Sequence, residues 1–311
     1  MIFKNSLKLF VANFSVFWKL LLYKLVAILI CAALLIPAYF SWAEAFYSVD
    51  FSRLIIDFST KTVFVNISVL LRSLFVVIEA FLDAVVIMYS TNAFMLFYTA
   101  FIVLFLLPFF FFFSAIPTGE GLYSYMASLS KSSFMANFVS KLGRSALYSL
   151  IRTLLLLPFL AILFVGGYYI LSLVNQEGII VIFMPIILVL YLVLMLTLFT
   201  TLLSGFMPAS VAFNISPIFT FRKGLKAVSR TFLRVFSSIF VIFFFTVLLS
   251  FLMTSFSLIA LIPLASVAII MLEMVMFFES QGNRYYVDLD SIVTPRKLEQ
   301  CDKFSKVKNI I

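Results

Sequence analysis

The sequence predicts an all-α, polytopic transmembrane helix bundle with about six spans in three hairpin units. Of its 311 residues, 64% are hydrophobic and 11% are charged, whereas a soluble domain is roughly 45–50% apolar and about 25% charged. Apolar runs recur at the length of about 20 residues that one membrane crossing needs. Lys and Arg cluster between these runs, in four segments that fall on one side of a six-span topology.

Six apolar runs define the expected spans. They lie at about residues 20–40, 93–117, 146–174, 179–204, 238–253 and 258–278. Polar residues 175–178 and 254–257 make tight turns between consecutive runs. We therefore expect residues 1–280 to form a membrane domain and residues 281–311 to form a solvated cytoplasmic tail.

A short sequence repeat, referred to below as the echo, indicates the hairpin units. Phe10-Val11-Ala12-Asn13-Phe14 recurs as Phe134-Met135-Ala136-Asn137-Phe138, each time shortly before basic residues and an apolar run. A looser version begins at Phe219. Each unit is thus expected to be a basic amphipathic helix followed by a helical hairpin, although independent anchoring at the membrane interface would produce the same echo.

Basic residues set the orientation, because Lys and Arg in short loops mark the cytoplasmic side. The basic side comprises the N-terminal segment, two loops and the tail, and the loop residues are Lys131, Lys141, Arg144, Arg222, Lys223, Lys226, Arg230 and Arg234. Both termini are therefore expected in the cytoplasm. Ser41-Trp42-Ala43 resembles a signal-peptidase site, but a signal peptide is typically about 15–30 residues, so an uncleaved first helix is expected.

A long insertion, residues 44–90, interrupts the first hairpin. Its charged residues after Glu44 fall within roughly 120° of a helical wheel at about 100° per residue: Asp50, Arg53, Asp57, Lys61, Arg72, Glu79 and Asp83. We expect one amphipathic helix, or two in series. Hydropathy does not decide whether residues 63–89 cross the membrane. One extra crossing, however, would place the basic residues near 131–144 outside the cell, against the preference of Lys and Arg for the cytoplasmic side. The insertion is therefore expected at the outer surface or folded against the bundle.

The insertion has two interpretations. In the functional one it is a lid or a polar wall facing a cavity, with Arg72, Glu79 and Asp83 as candidate functional residues. In the structural one it is an interfacial helix with its charges in water and its apolar face in lipid.

Two ionisable residues lie inside expected spans at similar depth. Arg152 is about two turns inside the third span, and Glu273 is about two turns from the cytoplasmic end of the sixth. Charged residues inside membrane spans usually pair and mark functional sites, so an Arg152–Glu273 pair is predicted. The alternative is that each side chain snorkels to the headgroups.

Several kinds of chemistry lack their usual residues. There is no histidine, and the two cysteines, Cys31 and Cys301, lie far apart in an apolar span and a polar tail. No sequence motif for phosphate binding, nucleophilic catalysis or zinc hydrolysis occurs. We therefore expect no catalytic, cofactor-binding or metal residues. The net charge of +9 comes from loops between spans and indicates a membrane rather than nucleic acid.

One stretch resembles a known family. Pro117-Thr118-Gly119-Glu120-Gly121-Leu122-Tyr123, followed by Lys131, Phe134, Phe138 and Lys141, is similar to a pattern of the YesL-like multi-pass membrane proteins of low-GC Gram-positive bacteria. The resemblance covers some 35 residues and excludes the insertion. It implies a bacterial cytoplasmic (inner) membrane location and brings no catalytic residues.

Three functions fit these observations. The first is a non-enzymatic transport-accessory or envelope-assembly component, whose partners are the lipid bilayer and another membrane protein. The second is a transporter of a small or lipidic solute, with the insertion as its lid. The third is a lipid-modifying membrane enzyme, for which the chain offers Arg152 with Glu273 and Glu279.

Overall fold

The computed structural model is about 90% helical and describes residues 2–62, 67–173, 180–252, 255–288 and 291–293. Side chains at 60–62, 67–72, 180–182, 184–185, 251–252 and 255–260 lie outside the description. The helices are α1 Ile2–Ala12, α2 Ser15–Leu35, α3 Tyr39–Ser48, α4 Phe51–Thr62, α5 Ile67–Ala100, α6 Leu107–Phe113, α7 Ala115–Ser128, α8 Phe134–Ser140, α9 Leu142–Ser172, α10 Ile180–Leu203, α11 Phe206–Phe213, α12 Pro217–Leu252 and α13 Ser255–Gln281. Two strands follow, β1 Tyr285–Asp288 and β2 Ser291–Val293.

Six helical segments of the described chain are long and apolar enough to cross a membrane. They are Ser15–Ser48, Ser73–Ser128, Leu142–Ser172, Ile186–Phe213, Pro217–Ser250 and Leu261–Gln281. Each overlaps one expected span, so the prediction of an all-α polytopic bundle with six spans is confirmed. The second segment, at 56 residues, is far longer than the roughly 20 residues that one crossing needs.

This long segment is divided at Asn92. The backbone there leaves the helical region, with φ −149° and ψ 69°. The Asn92 side-chain Oδ1 accepts a hydrogen bond from the Met95 backbone N–H at 3.2 Å, which is the geometry of an N-cap. A new helix therefore starts at residue 93, where the second span was expected. It continues through a π-helical stretch, Phe101–Leu106, just before Pro108, whose missing N–H disturbs regular α-helical bonding.

The charged residues of the insertion lie on two described helices, as the expectation of two helices in series allows. The chain turns between α3 and α4, where Asp50 has a positive φ of 50°. Arg53 and Asp57 belong to α4, whereas Glu79 and Asp83 belong to α5. The described part of the insertion is largely helical, and residues 63–66, between α4 and α5, lie outside the described chain, so a single charged stripe stays a prediction.

By internal contacts the chain divides into two compact units: residues 1–26, 109–152 and 196–311 form unit 1, and residues 27–108 and 153–195 form unit 2. The core of unit 1 is α13, whose side chains from Val267 to Phe278 are largely buried. Helices α1, α7, α11 and α12 pack around it. Burying a large apolar side chain stabilises a soluble protein by about 1.5–3 kcal/mol, but inside lipid close packing matters more.

The first residues of the C-terminal segment pack on unit 1. Strands β1 and β2 form an antiparallel hairpin, so the fold contains a small sheet. In β1, Tyr285 and Val287 are buried in the core of unit 1 while Tyr286 and Asp288 face outward. This part of the tail is packed rather than solvated, and residues 294–311 of the expected tail lie outside the description.

The repeated five-residue pattern adopts two different local structures. Phe10–Ala12 ends α1 and Asn13 lies in the turn before α2, whereas Phe134–Phe138 lies entirely within α8. Asn13 bonds to the Leu9 carbonyl and Asn137 to Ser132. The echo therefore does not mark one repeated local conformation.

Candidate functional site

The predicted pair of ionisable side chains is present in unit 1. Arg152 Nη2 lies 3.9 Å from Glu273 Oε1, which brings α9 and α13 together. Arg152 is 7% exposed and Glu273 is fully buried. Ion pairs this deeply buried need good geometry to offset the cost of desolvating both charges, and 3.9 Å is near the outer limit.

Aromatic side chains surround the Arg152 guanidinium. Its Nη1 donates a hydrogen bond to the Tyr148 hydroxyl, one helical turn away. Its Cζ lies 4.6 Å from the centre of the Phe112 ring, a distance typical of a cation–π contact. These contacts replace part of the hydration that Arg152 loses on burial.

Lys24 of α2 is a second buried cation in the same unit, only 5% exposed. Its ammonium donates to the Ser266 hydroxyl and lies 5.1 Å from the centre of the Phe111 ring. It is close enough to Arg152 for their charges to interact. We call Lys24, Tyr148, Arg152 and Glu273 the buried charge cluster.

The buried charge cluster is incompletely satisfied. Both carboxylate oxygens of Glu273 and the Nε of Arg152 are buried without a hydrogen bond in the described structure. With two cations and one acid, the cluster carries a formal excess of one positive charge. Buried polar atoms are nearly always hydrogen-bonded, so these unpaired atoms make the cluster an unusual feature of the described core.

Unit 2 contains a large apolar cleft, which we call the apolar cavity. Its volume is about 1010 Å³, and its walls come from α2, α3, α5, the π-helical stretch and α9. Most lining side chains are Ala, Val, Leu, Ile or Phe; the exceptions are Tyr39, Trp42 and Thr99. A cavity of this size lies at the upper end of the range of about 300–1,000 Å³ for ligand pockets.

Aromatic packing forms one wall of the apolar cavity. Trp42 stacks on Phe81 with ring centres 6.1 Å apart and planes 4° from parallel. The Trp42 indole N–H donates to the Thr99 hydroxyl at 2.9 Å, and that hydroxyl donates to the Met95 carbonyl at 2.8 Å. Beneath them, Ala45, Ala84 and Met88 form a small buried cluster. The insertion therefore contributes Phe81 and this small cluster to the wall.

Two charged residues predicted in the insertion, Glu79 and Asp83, do not line this cavity. Glu79 and Asp83 are exposed, while Phe81 and Val85 of the same helix line the cavity. Residues 79 and 81 point to opposite sides of a helix at about 100° per residue. The side chain of Arg72 lies outside the described residues. Glu79 and Asp83 therefore do not form a polar wall of this cavity, and the described residues through which the insertion lines it are apolar.

Glu279 takes part in a separate polar contact at the end of α13. The Tyr285 hydroxyl donates to Glu279 Oε1 at 3.0 Å, and Asn5 Nδ2 donates to the Tyr285 hydroxyl at 2.9 Å. Burial raises the pKa of Tyr285, and the Glu279 carboxylate raises it further. These bonds tie β1 to α1 and α13, and they leave Glu279 engaged away from Arg152.

Sequence reasoning missed two contributors. Lys24 lies about one turn into the first expected span, and a charge at such a position is itself a signal for a buried role. Trp42 was weighed only as part of a cleavage site. A tryptophan beside a long apolar run is a common lining residue, but helix rotation determines which way it points.

The fold and these sites define an all-α polytopic membrane bundle with buried charges in unit 1 and an apolar cavity in unit 2. Within the described part of the chain, no three Cys, Asp or Glu side chains come close enough together to hold a metal ion. Comparison with protein-family models, curated proteins and solved structures found no match to this chain.

Proposed function

We propose that the protein is a non-enzymatic membrane component that binds a lipidic molecule in the apolar cavity of unit 2. The observation that carries this proposal is a cavity of about 1010 Å³ with an almost entirely hydrocarbon wall. Such a wall favours an acyl or isoprenoid chain, because a polar ligand would lose its hydration there without finding hydrogen-bond partners.

The polar groups of the wall support the same ligand class. The Trp42 N–H and the Thr99 hydroxyl are bonded to each other or to backbone, so neither is left over for a ligand. None of the described lining residues is acidic or basic, which favours binding over catalysis. Delivery of a lipidic molecule to another membrane protein would fit a transport-accessory or envelope-assembly role.

The proposal is tested by identifying what the protein retains. Full-length protein is extracted from native membranes in lipid particles, and bound lipids are identified by mass spectrometry. Ala161 lines the cavity on α9, so Ala161→Trp fills it; Ile162, the next residue, is exposed and does not line it. We expect one lipid class to be enriched with wild type and with Ile162→Trp and lost with Ala161→Trp. Retention of bulk lipid alone by all three proteins contradicts the proposal.

A transporter of a small or lipidic solute is the second candidate, and the buried charge cluster favours it. Ionisable residues inside membrane spans often mark solute or proton pathways, and Arg152 and Glu273 are both deeply buried. Proteoliposome assays with the lipid class identified above distinguish the two. Protein-dependent movement across the bilayer that is lost in Glu273→Gln while lipid binding is kept supports transport; binding without movement in wild type supports the accessory role.

We further propose that the protein lies in a bacterial cytoplasmic membrane with both termini in the cytoplasm. The distribution of basic residues supports this orientation, and the resemblance to YesL-like proteins supports the membrane. A phosphatase reporter active only after export tests it. Fusion at Lys141 should be inactive and fusion at Asp57 active. The reverse pattern, or equal activity at both, contradicts the topology.

A further inference from the structure

A small polar pocket lies in unit 1, separate from the buried charge cluster. It is formed where α1 meets α2, along one side of α7, and by the loop that follows α7. Its volume is about 80 Å³. A cavity needs roughly 10–15 Å³ of such volume for each water, so the pocket has room for a compact polar group such as a phosphate.

The pocket combines two cations from different parts of the chain. Lys19 comes from the start of α2 and Lys131 from the loop after α7. Hydroxyl and amide groups complete its polar lining: Asn13, Ser15, Thr118, Tyr125 and Ser132. Lysine binds phosphate as a point charge, and hydroxyls add hydrogen bonds.

Acidic residues do not neutralise this lining. None of the thirteen residues around the pocket, all of them described, is Asp or Glu. Glu120 is next to the lining residue Gly121, but its carboxylate is 2.8 Å from Arg144 Nη2 and 3.7 Å from Lys141 Nζ. Asp288 of β1 interacts electrostatically with Tyr125 but does not line the pocket. The two lysines thus have no carboxylate in the pocket.

The position of the pocket suits a phosphate at a membrane surface. It joins the start of the first candidate span, Ser15–Ser48, to the end of the second, Ser73–Ser128. Successive spans run in opposite directions, so these two ends lie on the same side of a bilayer. Basic pockets between membrane helices on the cytoplasmic side bind anionic headgroups.

We infer that this pocket binds one phosphate group through Lys19 and Lys131. The group is either the phosphomonoester headgroup of a lipid or a free phosphate. The inference does not depend on the apolar cavity, because the pocket belongs to unit 1 and its lining shares no residue with the cavity.

Two arms of one experiment distinguish the sources. Full-length protein in phosphatidylcholine nanodiscs is titrated with phosphatidic acid, followed by native mass spectrometry, or with radiolabelled inorganic phosphate, followed by equilibrium dialysis. Saturable binding of phosphatidic acid alone assigns a lipid headgroup. Saturable binding of inorganic phosphate as well assigns a site for free phosphate. Binding in neither arm overturns the inference.

Matched variants test the residues. Lys19→Gln/Lys131→Gln should weaken binding by about thirtyfold, whereas Lys4→Gln/Lys8→Gln removes the same charge from exposed sites outside the pocket and should leave it nearly unchanged. Gly121→Leu fills the pocket without changing charge and should also abolish binding; a Cβ there meets Ser132 Oγ at an ordinary 3.6 Å. Equal loss in the two lysine pairs, or wild-type affinity in Gly121→Leu, contradicts the inference.

Discussion

The backbones of Gly205 and Gly224 lie against each other. A methyl group on Gly205 would be 2.8 Å from the Gly224 carbonyl carbon, and a methyl group on Gly224 would be 2.6 Å from the Gly205 carbonyl oxygen. Gly205 precedes α11 and Gly224 lies in the second turn of α12. Small residues allow membrane helices to approach this closely, so the pair fixes where α12 crosses the end of the fourth span.

Replacing either glycine of this contact should destabilise the protein. Gly205→Ala forces two backbones apart, and overpacking of this kind typically costs about 1–3 kcal/mol. Gly143→Ala is the matched control, because a Cβ there meets nothing within 4 Å and Ala favours a helix more than Gly does. Thermal unfolding in nanodiscs should show a lower midpoint for Gly205→Ala only. Equal midpoints for both variants would refute the contact.

Removing either partner of the buried ion pair should destabilise the fold, with the larger effect at Glu273. Breaking a buried pair costs about 3–5 kcal/mol. Glu273→Gln leaves Lys24 and Arg152, whose charges interact, without the paired acid, whereas Arg152→Gln leaves one charge of each sign. The unfolding midpoint should therefore be lower for Arg152→Gln than for wild type, and lower still for Glu273→Gln. Arg230→Gln, at an exposed position, is the control. If both variants unfolded at the midpoint of Arg230→Gln, the pair would not be a stabilising contact.

Asn92 should be sensitive to loss of its side-chain acceptor. Its Oδ1 caps the helix that begins at residue 93, and replacing a capping Asn by Ala costs about 0.5–2 kcal/mol. Asn92→Ala should lower the unfolding midpoint, while Asn92→Asp keeps the acceptor and should retain most of the stability. If Asn92→Asp and Asn92→Ala lower the unfolding midpoint equally, the cap is not what stabilises the bend.

Tyr285 should make stability depend on alkaline pH. Burial and Glu279 raise its pKa above the ordinary value of 10.0, so the fold favours the neutral phenol. This contribution is fully present below pH 10.0 and is lost as the pH rises above it toward the higher folded pKa, by about 1.4 kcal/mol per pH unit. Tyr285→Phe should lack this decline. Tyr286→Phe, on the opposite face of β1, should retain it, and an unchanged decline in Tyr285→Phe would contradict the assignment.

The membrane architecture was readable from composition and charge because each span needs its own apolar run. The Arg152–Glu273 pair was readable for a related reason: two charges at the same depth in apolar spans have few other partners. The position of Lys24, the third charged residue of the buried charge cluster, was not readable from the sequence, because its contact with Ser266 depends on how α2 and α13 are rotated.

The sites built from apolar residues were the hardest to predict. Phe81 and Val85 face the apolar cavity, whereas the more conspicuous Glu79 and Asp83 face away from it. In a chain so rich in apolar residues, hydrophobicity does not distinguish a side chain that faces lipid from one that lines a cavity. The β-hairpin did leave a signal, since Tyr and Val, as in Tyr285-Tyr286-Val287, are enriched in strands, but the surrounding charges suggested a solvated tail.

Photo-crosslinking measures occupancy of the apolar cavity most directly. The protein is reconstituted with a fatty acid that carries a photoreactive group midway along its chain, irradiated, and digested for peptide mapping. We predict that labelling concentrates on cavity-lining residues such as Trp42, Phe81, Leu104 and Phe164, and that Ala161→Trp removes it. Labels spread evenly over exposed apolar residues of all six spans, and unchanged by Ala161→Trp, would contradict a lipidic ligand in the cavity.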